Sequence, residues 1–303
     1  MKRADPPVYL DHNATTQPEA RVVAAMVQAL EVQWANPSSV HRAGQEVRHA
    51  VELARESVAR LIGANPGELV VTSGGTESAN LAVQGSFFRW QGRRDVIVTT
   101  PVEHSAVRET AEMLAARHGA QVVQLAVDSA GVAEPEQLCD VLAEYGNRVA
   151  CVSVQAANNE TGVIQPVEAL AAAVKSQGDR GLVFHCDATQ LVGKSPVDVD
   201  RLGVDLMTFF PAQVSRAEGG GVLVCAVGQA SGPGHGRGGP GAASGGAGRS
   251  TWQALWGLVL LRTWHGSGWP TGMTSRANRC PGILRGSDGT SSTVCSRQYR
   301  IVS

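Results

Sequence analysis

The 303-residue chain is 43% hydrophobic and 17% charged, enough for one large domain or one and a half ordinary ones. A formal net charge of -1 excludes a nucleic-acid footprint and a polybasic membrane patch. No apolar run is long enough to span a bilayer, and MKRADPPVYL has no apolar core after its basic residues, so no signal peptide and a cytoplasmic location are expected.

Up to Phe209 the text alternates between two periods. Apolar residues at three- and four-residue spacing predict helices over Glu19–Trp34, Gln45–Ile62, Glu77–Trp90, Ser105–His118, Pro135–Tyr145 and Pro166–Ser176. Short β-branched runs between them predict strands at Leu69–Thr72, Asp95–Thr99, Gln121–Leu125, Arg148–Val154, Leu182–Cys186 and Asp205–Phe209. Strands alternating with helices imply a mainly parallel sheet covered on both faces. Cys151 and Cys186 fall inside strands and read as buried thiols. The six cysteines form no C-x-x-C pair, and no metal site is expected.

Four polar motifs sit where strands end. SGGTES (Ser73–Ser78) follows LVVT and opens a helix; its two glycines and its helix N-terminus suit either a plain N-cap turn or a phosphate site. EHSA (Glu103–Ala106) follows DVIVTT, so His104 is either a helix cap or a group facing a ligand at the carboxyl edge of the sheet. AANNETG (Ala156–Gly162) pairs two amides with an acid and a glycine, which fits a hydrogen-bonded turn or polar recognition. HCDATQ (His185–Gln190) ends an apolar strand in Asp187, either a cap or a carboxylate awaiting a cation such as a protonated pyridine nitrogen. In a parallel sheet all four converge on one edge.

With YLDHNATT (Tyr9–Thr16), NPSSVHRAG (Asn36–Gly44), TSGGTESAN, VEHSA, ANNETGVIQP, HCDATQLVGKSPVDV and LGVDLMTF in this order, residues 8–209 resemble the cysteine desulfurase and selenocysteine lyase (NifS-like) group of fold-type I enzymes dependent on pyridoxal 5'-phosphate (PLP). The resemblance implies an α/β/α sandwich. It implies that Gly75 and Thr76 bind the cofactor phosphate, that His104 stacks on the ring with an acid–base role, that Asn159 and Gln190 lie near the ring hydroxyl, and that Asp187 pairs with the pyridine nitrogen. It further implies a homodimer converting cysteine or selenocysteine to alanine, with the sulfur passing through an enzyme persulfide to an acceptor protein.

The resemblance stops at a seam. The family continues from the strand ending at Phe209 into Ser-x-His-Lys and Gly-Pro-Lys-Gly, whose first lysine forms the Schiff base. Here Gln213 stands at the lysine position, and the chain holds only Lys2, Lys175 and Lys194. Without an amine no covalent attachment of the cofactor is expected. Residues 211–303 carry 20 of the 35 glycines, four of the six tryptophans, nine arginines, no lysine and only two acids. Such text cannot bury enough apolar surface to offset its ordering entropy and is expected to be disordered. Cys280 and Cys295 lie in this unrelated text, so neither is assigned the family's sulfur-accepting role.

The genetic code accounts for the seam. Read one base later, codons permitted by Phe210–Gly219 spell Ser-x-His-Lys-Phe-His-Gly-Pro-Lys-Gly, and Val224–Ala226 permit Tyr-Val-Arg, the next family stretch. A slipped reading frame near Phe209–Phe210 is the expectation. It divides the chain into a PLP-transferase large domain, 1–210, and an out-of-frame Gly/Arg/Trp-rich tail, 211–303. Two functions follow: an inactive cysteine desulfurase relative, or a non-catalytic interaction protein that pairs with an intact paralogue.

Overall fold

The computed structural model describes residues 8–90, 92–178 and 181–210, and the strand Gly221–Cys225. Seven strands form one sheet: β1 (Leu69–Thr72), β2 (Val96–Thr99), β3 (Gln121–Gln124), β4 (Val149–Gln155), β5 (Val183–Asp187), β6 (Leu206–Phe209) and β7 (Gly221–Cys225), in the order β1-β7-β6-β5-β4-β2-β3. Pairings β2–β3, β2–β4, β4–β5 and β5–β6 are parallel, and β7 alone runs against its neighbours β1 and β6. The mainly parallel sheet expected from the alternation is therefore present, and every strand but β7 ends at one edge.

The helices are α1 (Ala20–Val32), α2 (Arg42–Ile62), α3 (Gly75–Phe88), α4 (Ser105–His118), α5 (Pro135–Tyr145), α6 (Val167–Ser176) and the short α7 (Val199–Leu202). Their ends follow local chemistry. His41 caps α2, its ring accepting the Gly44 N–H, and Gly63 closes the helix at φ 72°, a left-handed conformation costly for any residue with a Cβ. Asp198 caps α7 by accepting the Arg201 N–H.

The pleat sorts residues onto two faces. Val152, Val154, Phe184, Cys186, Met207 and Phe209 pack with Ala54, Val58 and Ile62 of α2, Leu138 and Leu142 of α5, and Leu170 and Val174 of α6. On the opposite face Ile97 packs with Ala79, Val83 and Phe87 of α3 and Val107, Ala111 and Leu114 of α4. The result is a three-layer α/β/α sandwich. The α3 face also carries a buried polar chain, in which His185 bonds Ser153 Oγ through Nδ1 at 2.8 Å and Thr208 Oγ1 through Nε2 at 3.0 Å. Burial pushes the His185 pKa down to about 4, against a smaller upward pull from the Asp187 charge.

Two departures from the sequence expectation stand out. No strand was expected after Phe209, yet β7 lies beyond the boundary at 210 and fills the place between β1 and β6. Its text, Gly-Val-Leu-Val-Cys, is a short β-branched run that two glycines separate from the polar stretch before it. The short α7 was also not expected; four residues are too few to show a helical period. Gln213, Cys280, Cys295 and the rest of the proposed tail apart from β7 lie outside the described residues. No helix among the described residues is long and apolar enough to cross a membrane.

Candidate active site

The sheet places one concavity of about 400 Å³ at the carboxyl edge of its strands, the edge at which open α/β sheets bind ligands. Ser73–Thr76 line it after β1, His104 after β2, Gln155, Ala157 and Asn159 after β4, Asp187, Thr189 and Gln190 after β5, and Phe210 after β6. Asn13 and Ala14 reach it from the N-terminal segment. All six residues singled out in the sequence as binding or catalytic (Gly75, Thr76, His104, Asn159, Asp187 and Gln190) border this one cavity.

At SGGTES the cap position is Gly74, which has no side chain to satisfy the first N–H groups of α3. Those donors and the positive end of the helix dipole therefore face the cavity. Glu77 turns back onto Ser73, accepting its N–H and its hydroxyl at 2.6 Å each. His104 caps α4, its Nδ1 accepting the Ala106 N–H at 3.1 Å, and it also borders the cavity. A neutral imidazole that accepts at Nδ1 carries its proton at Nε2.

The two adjacent amides divide the work. Asn158 makes the turn: its Oδ1 accepts the N–H groups of Glu160 and Thr161 at 2.8 Å each, and its Nδ2 donates to Val102 O at 3.0 Å. Asn159 is left facing the cavity. Asp187, 8% exposed at the end of β5, accepts the Thr189 N–H through Oδ1 at 3.0 Å. Among the described residues it forms no ion pair.

Three contributors were not given roles from sequence. Asn13 spans 177 residues to meet Gln190, whose Nε2 donates to Asn13 O at 3.2 Å. Lys194 donates to Asn13 Oδ1 at 2.9 Å and to Gln190 Oε1 at 2.5 Å, and burial pulls its pKa below the ordinary lysine value. Lys194 stands behind the wall, in a small side pocket that shares Asn13, Ala157 and Gln190 with the main cavity. Glu103, buried beneath the cavity, is the third. Asn13 belongs to YLDHNATT, and that match was the one signal available for it.

Cys151 and Cys186 are both fully buried, and burial pushes the Cys151 thiol up to about 12. Neither is placed to act as a thiolate nucleophile. Among the described residues no cluster of three or more histidine, cysteine, aspartate or glutamate side chains forms a metal site.

A glycine-rich helix N-terminus, a cavity-facing histidine and a buried carboxylate without an ion pair among the described residues surround one cavity, an arrangement suited to a ligand carrying a phosphate and a cation. The family model described as aminotransferase class-V matches residues 8–226, and the chain belongs to that family. Within it, the chain is similar to cysteine desulfurases. It is 40% identical over 220 residues to "Cysteine desulfurase IscS" of Serratia proteamaculans, which covers 72% of this chain and 53% of that protein. It is 40% identical over 223 residues to the protein of the same name from Dictyoglomus turgidum, covering 74% and 54%. The chain thus spans about half the length of the curated relatives it matches.

Among solved structures, a "NIFS-LIKE PROTEIN" superposes at TM-score 0.74 with 32% identity, covering 86% of this chain and 71% of that one. One described as "SspA in complex with cysteine" superposes at 0.75 with 28% identity, covering 84% and 72%. Class-V aminotransferases and cysteine desulfurases are PLP-dependent, and the residues of this cavity fit the cofactor: Asp187 is a buried carboxylate in want of a cation, and the start of α3 offers donors to a phosphate.

Proposed function

We propose that this chain keeps the cofactor-binding half of a cysteine desulfurase, binds PLP without a covalent bond, and is inactive as a desulfurase. The ancestral reaction is the conversion of L-cysteine to alanine, with the sulfur leaving as a persulfide for an acceptor protein that serves iron–sulfur cluster assembly; the chemistry of the site applies equally to selenocysteine. A cytoplasmic place and a homodimeric ancestor belong to the same reading.

One observation carries the proposal: among the described residues that line the cavity there is no lysine, and the chain's three lysines are Lys2, Lys175 and Lys194. Gln213 occupies the position at which the family pattern has its Schiff-base lysine. Bound PLP would supply an electron sink for charge developing at the substrate α-carbon. Gly75, Thr76 and the N-terminus of α3 hold the phosphate. Asp187 would pair with the pyridine nitrogen, Asn159 and Gln190 would orient the ring hydroxyl, and His104 would supply an imidazole for proton transfer at the ring. Without a lysine at this position the chain supplies no amine to hold the cofactor covalently, and neither Cys280 nor Cys295 is assigned the sulfur-accepting role.

The cause we infer is a shift of reading frame near Phe209–Phe210, with 211–303 as out-of-frame text. Sequencing the coding DNA tests it. The shift requires codons that spell the lysine motif in the next frame from Phe210 onward, and their absence removes the explanation.

A second reading, a non-catalytic partner of an intact paralogue, is favoured by Val23, Val27 and Leu30, which lie exposed in a row along α1. Co-purification with an intact class-V homologue, as a stoichiometric heterodimer, is its test.

A further inference from the structure

The turn between β2 and α4 carries His104 into the cavity, and the residue before it points the other way. Glu103 is 4% exposed. Its Oε1 accepts the backbone N–H of Gln155 at 2.5 Å and the Thr100 hydroxyl at 3.3 Å. Its Oε2 is buried with no hydrogen-bond partner. The preceding carbonyl, Val102 O, takes the side-chain amides of Gln155 and Asn158. Gln155 is paired in register with Asp187 across β4 and β5. One carboxyl therefore sits at the junction of three strand ends, behind the two residues, His104 and Asp187, that face the cavity from either side.

We propose that Glu103 is a positioning residue for this cavity: a buried, neutral carboxyl that clamps the His104 turn to the end of β4. The physical case is one of charge and solvent. Two neighbouring carboxylates cannot both ionise cheaply, and the one shut off from solvent, with one oxygen left without a donor, keeps the proton. Asp187 borders the cavity and meets its solvent; Glu103 does not. Burial first, and the Asp187 charge second, push the Glu103 carboxyl well above the usual carboxylate range. The other titratable groups facing this pair are Cys151, Cys186 and His185, all fully buried, and His104, which borders the cavity beside Asp187; among the described residues no lysine or arginine forms an ion pair with Glu103. A protonated Glu103 still accepts the Gln155 N–H at Oε1, and its O–H sits on the oxygen that now lacks a partner.

The test uses the full chain. Because the Glu103 carboxyl titrates higher in the folded protein than its unfolded value of about 4.3, the stability linked to its proton is fully present below that pH and lost as pH rises through the folded value. Glu103→Gln is neutral at every pH. The melting temperature of Glu103→Gln minus that of the parent should therefore widen from pH 5 to pH 8, by roughly 3–8 °C. A gap independent of pH overturns the neutral carboxyl.

In a second arm, PLP is titrated by fluorescence. Glu103→Gln should stay within about twofold of the parent, and Glu103→Ala should weaken binding about tenfold, as expected when buried donors lose their acceptor. Equal weakening by both variants overturns the clamp. This arm rests on the proposed cofactor site; if the parent binds no PLP, that reading falls while the melting experiment still decides the state of Glu103.

Discussion

The Lys194 ammonium lies 2.9 Å from Asn13 Oδ1, joining residues 181 positions apart. The same ammonium holds Gln190 Oε1 at 2.5 Å, so one cation ties the N-terminal segment to the loop after β5. The bond explains how Asn13 comes to border a cavity otherwise built from strand ends. Replacing Lys194 with Met keeps the apolar stem and removes both bonds. PLP affinity should fall about tenfold, the usual scale for a charge-assisted hydrogen bond. Unchanged affinity in a fluorescence titration would show that the anchored segment does not shape the site.

The phosphate and ring ends of the cavity should separate by ligand. Thr76→Val removes a hydroxyl at the start of α3 and should weaken PLP by about five- to tenfold while leaving pyridoxal, which has no phosphate, nearly unaffected. Asp187→Asn should weaken both ligands, because it removes the charge opposite the ring nitrogen. Parallel titrations check the pair, and an Asp187→Asn variant selective for PLP over pyridoxal would reverse the assignment.

His185 gives the fold an acid limit. Its folded pKa, about 4, lies below the unfolded value of roughly 6.5. The group therefore contributes stability that is present above about pH 6.5 and is lost as pH falls through about 4. The loss amounts to roughly 3 kcal/mol. His185→Gln cannot charge, and should flatten the fall in melting temperature between pH 6.5 and 4.5 even if it lowers the whole curve. Parallel curves for the two proteins would assign the acid loss elsewhere.

Gly44 tests how tightly α2 seats on the loop before it. A Cβ there would lie 2.6 Å from Ser39 O and 2.7 Å from Asn36 O, both backbone atoms, whereas a Cβ on Gly67 meets nothing within 4 Å. Gly44→Ala should cost about 1–3 kcal/mol, the scale of overpacking, and Gly67→Ala close to none. Chemical denaturation of the two variants beside the parent decides it.

Much of this architecture is written locally. Ser105–His118 and Pro135–Tyr145 were bounded from sequence as they stand, because α4 begins at a capping histidine and ends at Gly119 in the left-handed region, and α5 starts on a proline and ends at Gly146. The strand ends, and with them the cavity, followed from the alternation of periods. What escaped was non-local. No spacing pairs Asn13 with Lys194, and nothing in EHSA tells that Glu103 faces inward while His104 faces out. At Asn158 and Asn159 two equal side chains take opposite jobs, decided by which one reaches Val102 O. Strand β7 was missed because its apolar run is short and its place is set by β1 and β6, not by itself.

A PLP site without its lysine should bind the cofactor reversibly. The most direct measurement incubates the full chain with equimolar PLP, reduces with borohydride and maps any phosphopyridoxyl group by peptide mass spectrometry, with gel filtration before reduction in a parallel sample. The account predicts PLP that binds, washes out on the column and leaves no modified lysine. A stoichiometric phosphopyridoxyl group on Lys194 or Lys175 would contradict it and make this chain a carrier of covalent cofactor.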